Sequence, residues 1–570
     1  MNSGDRLRVA TVISVFVVVY TTLSVSSYVQ KSATVDEPQH LTAGYTVLKR
    51  FDYRLTIEHP PLLHEWAALP LLAMSDVKLD TENDRWATAD EFKFAHDFLY
   101  RQNDADALLY RARLMIVVLG LLLGVLVFCW SRELFGFWPA VLALWLYLLE
   151  PNLLAHGQLV TTDFGLTLFF FGAVYFLWRT TRRLNVGNVT GLAVFVALAH
   201  AAKFSAVVLV PTVIVLLLVW WLLPGESPPM SRGRRAITTA ALLVLLALTT
   251  WFAIWAVYGF RHSPTPAPIE QNRFGPNASV AEHLPRLTAV VQWVDAHRLL
   301  PNAYSYGFLL GREAGLERTA FLAGHFSDQG WWYYFPVAFL LKTPITVLLL
   351  AGAGLFFCAR RSSRQPADDL FLLCPIGLFM AAAMTSRLNI GLRHILPIYP
   401  FVILLAAKAF VELRPRLRRP LLAGLALLPL IETGPVYPHY LTFFNAACGG
   451  PRHGYQWLID SNLDWGQDLK PLKAWMTQQQ IPHINLAYFG TADPAYYAIH
   501  STRLPSVNFY DDPPALQPRL PGYVAVSATM LQTGVINGNR TDFFKPLLES
   551  EPEAVIGHSI HVYWVERPWW

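Results

Sequence analysis

Two adjacent carboxylates, Asp36 and Glu37, stand just past the first apolar run, at the head of VDEPQHLTAGYTVLKRFDYRLTIEHPPLL (residues 35–63). Acids placed where a chain leaves a bilayer cost free energy unless they face water or a partner, so they mark chemistry by default. The plainer reading is that Asp36 N-caps a helix with Pro38 in its first turn. Asp163 follows Thr161 and Thr162 in YLLEPNLLAHGQLVTTDF, a stretch that also holds Glu150 and His156; alone, it could simply complement a helix dipole. The cations to match are Lys203 in HAAKFSA and Arg393 in SRLNIGLRHILPIYPF. A cation facing inward at the mouth of an apolar run suits a phosphate, and a snorkelling contact with lipid headgroups is the alternative. Far along the chain, IDSNLDWGQDL brings Asp460, Asn462, Asp464, Trp465 and Gln467 into one polar loop. These residue types grip sugar hydroxyls and stack on pyranose faces. They also build turns and cap helices, here one expected over 466–478. Together they offer a carboxylate base, Asp36, and a cationic phosphate clamp, Lys203 with Arg393.

The elements that must position these residues are membrane spans. The 570 residues are 54% hydrophobic and only 15% charged. Apolar runs long enough to cross a ~30 Å hydrocarbon core recur. We read about 11 spans by hydropathy, at 8–29, 109–130, 138–155, 160–178, 188–202, 204–223, 236–258, 335–357, 369–386, 394–411 and 418–436. If the N-terminus is cytoplasmic, the inner loops carry Arg132; Arg179, Arg182 and Arg183; Arg232, Arg234 and Arg235; Arg360, Arg361 and Arg364; and Arg414, Arg416, Arg418 and Arg419. The short outer turns hold Lys203, Arg387 and Arg393. This asymmetry follows the positive-inside rule and places the C-terminus outside. The net charge of +5 then faces lipid headgroups rather than nucleic acid.

Three outer regions result: 30–108, 259–334 and 437–570. In the first, the spacing of Trp86, Phe92, Phe94 and Phe98 fits an amphipathic surface helix or a solvated loop. The second, rich in Pro and Gly, reads as irregular cover over a cavity. The third, with HINLAYFG, GYVAVSAT and AVIGHSIHVYWV as strands, reads as a small α/β domain. The chain thus divides into a transmembrane domain, 1–436, and a C-terminal domain, 437–570. Cys448 alone of the four cysteines lies clearly outside, so no disulfide is expected there. Two Asn-x-Ser/Thr sequons, at Asn277 and Asn539, also lie outside.

The Asp36-Glu37 pair, Gly44, Asp52, the His59-Pro60-Pro61-Leu62 stretch, Pro-x-x-x-x-His with Thr162-Asp163, the Gly-x-Arg-x-x-Leu-Pro-x-x-Pro around Arg393 and the long YPHYLTFFN…DSNLDWGQDL segment together carry a resemblance. The chain resembles the C-superfamily (GT-C) membrane glycosyltransferases. Within them it is most similar to the dolichyl-phosphate-mannose protein mannosyltransferases and their bacterial phospholipid-carrier-dependent relatives. The resemblance implies a GT-C fold and an inverting transfer of a hexose, mannose-like first, from a polyprenyl-phosphate donor to a hydroxyl acceptor on protein, lipid or glycan. It implies Asp36 as base beside Glu37 and Asp163, with Lys203 and Arg393 on the donor phosphate. His59, His156 and His325, with the loop at 460–467, are implied as sugar-pocket residues. It implies no cofactor; a divalent ion at Asp36 and Glu37 stays an open alternative. The site is expected on the outer face of a plasma membrane. A secondary transporter using Asp36, Asp163 and Lys203 as an ion-coupled site is the competing reading, but no inverted repeat is visible in the sequence.

Overall fold

The computed structural model describes residues 3–569 apart from 224–229, 267–277, 314, 317, 361–365, 413–423, 426, 508–516 and 536–539. Asn277, Asn539 and the arginines at 361, 364, 414, 416, 418 and 419 lie outside the described residues.

Each apolar run read from the sequence is mainly helical over its described residues, with breaks such as 149–150 and 343–344, as backbone in hydrocarbon tends to be to satisfy its own polar groups. Helix α1 (Ser3–Tyr28) leads through a short loop into α2 (Glu37–Arg50). Then come α3 (Ala105–Phe135), α4 (Phe137–Leu148), α5 (Pro151–His156), α6 (Thr162–Arg182), α7 (Val186–Ala202), α8 (Leu209–Leu222) and α9 (Arg232–Val257). After the second outer loop follow α10 (Tyr334–Lys342), α11 (Ile345–Ala359), α12 (Pro366–Met384) and α13 (Tyr399–Glu412), the last entered through a 3-10 turn over Leu392–Ile398.

The chain is a multi-pass membrane protein. Among the described residues 7 helices are long and apolar enough to cross a membrane, or 8 if α10 and α11, bent by 118°, form one span. The remaining runs make shorter apolar helices, Phe137–Leu148, Val186–Ala202 and Leu427–Val436. Proline explains two of the interruptions: Pro151 stops α4 from continuing, and Pro344 stands at the α10–α11 bend. The most enclosed spans are α6 and the one ending in α13, each 89% buried over its apolar window, whereas α1 and α9 are 17% buried. The central pair carries Asp163 and Arg393 at its heads.

The outer regions depart from expectation in two places. Trp86, Phe94 and Phe98 do not share one surface helix; they lie on short pieces (Asp84–Ala87, Glu91–His96, Asp97–Arg101) and are buried. Trp86 and Phe94 pack with Ala43 of α2, so the aromatic spacing reports a core contact rather than a membrane-facing stripe. The second loop is more regular than its Pro and Gly content implies. It contains helices Pro285–Ala296 and Asn302–Glu313 and a hairpin of β1 (Ala320–Leu322) and β2 (His325–Ser327). Gly44 has a clear steric reason: a Cβ there would meet the His64 carbonyl oxygen at 1.9 Å, where the helix Leu62–Ala68 crosses α2.

Past the last span the chain winds through short 3-10 turns into α14 (Leu469–Gln478) and a five-stranded sheet. Its strands are β3 (Ile484–Ala487), β4 (Ser501–Arg503), β5 (Gly522–Ser527), β6 (Ala554–Ile556) and β7 (Ile560–Val565), in the order β4-β3-β5-β7-β6. Strand β3 runs parallel to β4 and β5, while β7 is antiparallel to β5 and β6. The three apolar stretches read as strands thus supply β3, β5, and β6 with β7. The short polar β4 at the edge carries no alternating signal. The architecture is a helical polytopic membrane protein with a small α/β unit.

Candidate functional site

Asp36 sits at the N-cap position of α2, yet its carboxylate caps nothing. Instead Oδ2 accepts a hydrogen bond from Arg393 Nη1 at 2.6 Å. The same Nη1 lies 3.4 Å from Asp163 Oδ2, and Lys203 Nζ donates to Asp163 Oδ1 at 2.5 Å. Four of the expected residues therefore form one alternating chain of charge, Asp36–Arg393–Asp163–Lys203. The placement follows from the topology. Helices α6 and α7 are consecutive, so the first turn of α6 (Asp163) and the C-cap of α7 (Lys203) meet at one end. Arg393 enters from the turn ahead of α13, which packs beside α6. Side-chain exposure falls along the chain, from 23% at Asp36 to 9% at Arg393 and 2% at Asp163. Asp36 is thus the more exposed of the two carboxylates.

The electrostatics of Asp36 is set by its partners. Burial works to raise its carboxyl, but Arg393 and His40 outweigh it and hold it below the usual carboxylate range. Arg393 is itself held from behind, its guanidinium lying over the Trp465 ring at 4.2 Å. Its Nε is buried and donates to no described residue. Lys203 and Arg393 thus grip opposite oxygens of one carboxylate.

Several residues expected in the site do other work. Glu37 is completely buried, and its carboxylate is spent: Arg113 Nε and Nη2 donate to it at 2.8 and 2.6 Å, and the backbone N–H groups of Val160 and Thr34 at 3.0 and 2.9 Å. In this structure it ties the α1–α2 loop to the segment before Asp163. Neighbouring side chains at a helix start point apart by about 100°, so one acid meets Arg393 and the other Arg113. Asn462 is likewise held inside the fold. Its Oδ1 accepts from Leu392 N at 2.9 Å, and its amide donates to Tyr334 Oη at 2.9 Å and to the carbonyls of Ile390 and Ile459. Both of its amide N–H groups are thereby used inside the protein, and the side chain is buried. Asp464 accepts from Thr529 N at 2.8 Å, and Gln467 bonds Trp465 N, the Leu463 carbonyl and Asp468. Asp464 also does not cap the following helix; Asp468 stands at that position. With Ser461 Oγ donating to the Ile390 carbonyl, this loop forms a wall behind Arg393. Trp465, 1% exposed, stacks on Arg393.

The remaining candidates divide. Asp460 has a left-handed backbone, φ 57, and its carboxylate lies 3.7 Å from Arg318 and within electrostatic reach of Arg393. His59 lies within electrostatic reach of Lys203 and Asp163, and its Nδ1 is buried with no hydrogen-bond partner. His156, in α5, is buried with its ring 6.4 Å from that of Trp465. His325 is exposed at the start of β2, with no contact to the four charged residues among those described. Among the described residues no three His, Cys, Asp or Glu side chains converge as metal ligands would.

With this geometry in place, the chain can be set beside known proteins. A family profile described as dolichyl-phosphate-mannose-protein mannosyltransferase matches residues 108–255. The chain resembles this family of membrane glycosyltransferases. The match takes in Asp163 and Lys203 and leaves Asp36 and Arg393 outside. No curated protein sequence matches the chain. Among solved structures, ArnT from Cupriavidus metallidurans bound to undecaprenyl phosphate is 14% identical, with a TM-score of 0.47 over 96% of this chain and 97% of that one. AglB, the oligosaccharyltransferase of Archaeoglobus fulgidus solved with an inhibitory peptide and a dolichol-phosphate, is 12% identical, with a TM-score of 0.45 over 77% and 56%. The S. cerevisiae protein O-mannosyltransferase Pmt1-Pmt2 complex bound to its sugar donor is 15% identical, with a TM-score of 0.35 over 49% and 36%. The chain thus spans about a third of the yeast chain it matches.

Two residues that matter here, Arg113 and His40, were not singled out from the sequence, and the contacts of a third, Lys342, were not legible there. Arg113 is fully buried on α3 and, besides Glu37, donates to the carbonyls of Tyr28, Lys31 and Ser32. An arginine inside the run LLYRARLMIVVLG was the available signal, since such a residue needs a stated partner. His40, one turn after Asp36, packs its ring 4.5 Å from His64 and 5.5 Å from His59. Its Nδ1 lies 3.0 Å from the Val160 carbonyl. Lys342, at the end of α10, donates to the Leu441 carbonyl at 2.8 Å and to the Asn462 carbonyl, so it fastens the wall to the bundle.

Proposed function

We propose that this chain is an inverting glycosyltransferase that moves a hexose, mannose-like first, from a polyprenyl-phosphate carrier to a hydroxyl acceptor. The observation that carries the reading is the shared geometry of Asp36, Arg393, Asp163 and Lys203. Asp36, the exposed end of that chain, takes the proton of the acceptor hydroxyl as its oxygen bonds to the anomeric carbon. The bond from that carbon to the phosphate oxygen breaks, and its electron pair leaves with the phosphate. The donor phosphate is a singly charged diester and leaves as a monoester of higher charge. Lys203 and Arg393 therefore hold the departing group more tightly than the bound donor, which is where binding accelerates a reaction. Asp163 fixes both cations in place. Glu37 and the 460–467 loop act behind them, the first through Arg113 and Val160, the second through Leu392 and the Trp465 ring.

In this reading the membrane part, 1–436, holds the carrier and the part after 437 stands on the acceptor side. The N-terminus is cytoplasmic and the C-terminus lies outside a plasma membrane. The test is transfer itself. The purified full-length chain, given a radiolabelled polyprenyl-phosphate hexose and hydroxyl acceptors of protein, lipid and glycan type, is expected to label one class and release polyprenyl phosphate. A folded protein that leaves every such donor intact, while driving ion-coupled uptake in liposomes, would replace the enzyme with a carrier.

A further inference from the structure

A second cluster of charge lies at the other end of α6. That helix has 21 residues, about 30 Å at 1.5 Å per residue, so its last turn is one hydrocarbon thickness from Asp163. Here the ends of α6 and α8 and the start of α9 enclose a cavity of about 280 Å³. Arg182, Arg183, Arg234 and Arg235 line it, with Trp220 and Leu242 on its apolar side. Asp368 takes up Arg182, at 2.5 Å. Arg183 and Arg234 are exposed at the rim. Arg235 is the informative one. It is only 8% exposed, its guanidinium lies over Trp220 at 5.2 Å, and Nη1 donates to the Trp220 carbonyl at 3.3 Å. Its Nε is buried and has no hydrogen-bond partner among the described residues.

A cation taken out of water with a donor left unmade is costly, and the cost is offset when an anion binds it. The two kinds of wall say which anion. The guanidinium groups ask for an oxyanion that accepts several N–H bonds at once, as a phosphate does. The apolar side, at the edge of a seam between α8 and α9 that opens on hydrocarbon, asks for acyl chains. We propose that this cavity is a binding site for the phosphate headgroup of a membrane phospholipid, seated between α6, α8 and α9 on the face opposite the charged site. It goes beyond ordinary headgroup contact because one of its arginines is inside the protein and shaped by Trp220, so occupancy should be specific and slow to exchange.

The test is native mass spectrometry of the full-length protein released from detergent with added dioleoyl phosphatidylglycerol, dioleoylglycerol or inorganic phosphate. Phosphatidylglycerol should stay bound with a stoichiometry near one, and dioleoylglycerol, which lacks the phosphate, should not. Arg235→Gln should lower retention by roughly fivefold or more, as should the rim pair Arg183→Gln with Arg234→Gln. Arg235→Lys should restore part of it. Should Arg235→Gln fail to fold, the exposed rim pair decides alone. Equal retention in the rim pair and the wild type overturns the proposal. So does displacement of the lipid by inorganic phosphate, which would make the site one for a free anion.

Discussion

Replacing Asp36 by Asn removes one charge and one basic oxygen while keeping the outline of the side chain. Arg393 then loses its 2.6 Å partner but keeps Asp163 at 3.4 Å. The cost in stability should therefore stay below the about 3–5 kcal/mol of an orphaned buried charge. Turnover should fall much further, by about 10²-fold or more, the scale of a lost general base. The assay is single-turnover sugar transfer by purified protein, read beside donor binding and a thermal melt. The rate must drop while the other two hold. The wild-type pH profile adds a check on the reasoning. In the free protein Arg393 and His40 hold the Asp36 carboxyl below the usual range, so kcat/KM should keep its value well into the acid side. A donor phosphate draws Arg393 away and adds negative charge, both of which raise the carboxyl. The acid limb of kcat should therefore lie at higher pH than that of kcat/KM. An Asp36→Asn protein that transfers sugar within a few-fold of the wild-type rate would refute the assignment of the base, and Asp163 would be tested next.

Glu37→Gln should act on stability rather than rate. It leaves Arg113 fully buried beside a neutral partner, a loss of about 3–5 kcal/mol, read as a lower melting temperature with near-normal turnover in the folded fraction; a large rate loss at unchanged stability would return Glu37 to the site. Asn462→Ala removes the acceptor of Leu392 N–H, a cost of about 1–3 kcal/mol for a buried donor left unmade. It should weaken donor binding through Arg393, and unchanged donor affinity in a folded variant would break the proposed wall. Burial pushes the Asp464 carboxyl from 3.8 up to about 7. Between those values the folded state binds a proton that the unfolded chain has released, so stability should fall as pH rises through that window. Asp464→Asn should flatten the dependence of melting temperature on pH there, and an unaltered profile would show that Asp464 is not its source.

The residues with chemical potential were legible because their types contradict their surroundings. Acids and cations at the ends of apolar runs at Asp36, Asp163, Lys203 and Arg393 are expensive enough to be read without a structure. The same holds for the apolar runs themselves, and for the strands of the small sheet, whose length and apolar content are local properties. What the sequence does not contain is direction. Asp36 and Glu37 are neighbours with the same charge, and only the seating of α2 against α3 and α6 turns one towards Arg393 and the other onto Arg113. The loop at 460–467 has the composition of a sugar site, yet tertiary packing faces its amides inward to hold Leu392 and its indole under Arg393. The aromatic spacing at Trp86 and Phe94 reads equally as a membrane-surface helix or a solvated loop, and contact with Ala43 places them in a core instead. Charge and apolar length act at the residue that carries them; which partner completes a buried group depends on elements hundreds of residues away, and only the packed chain brings these together.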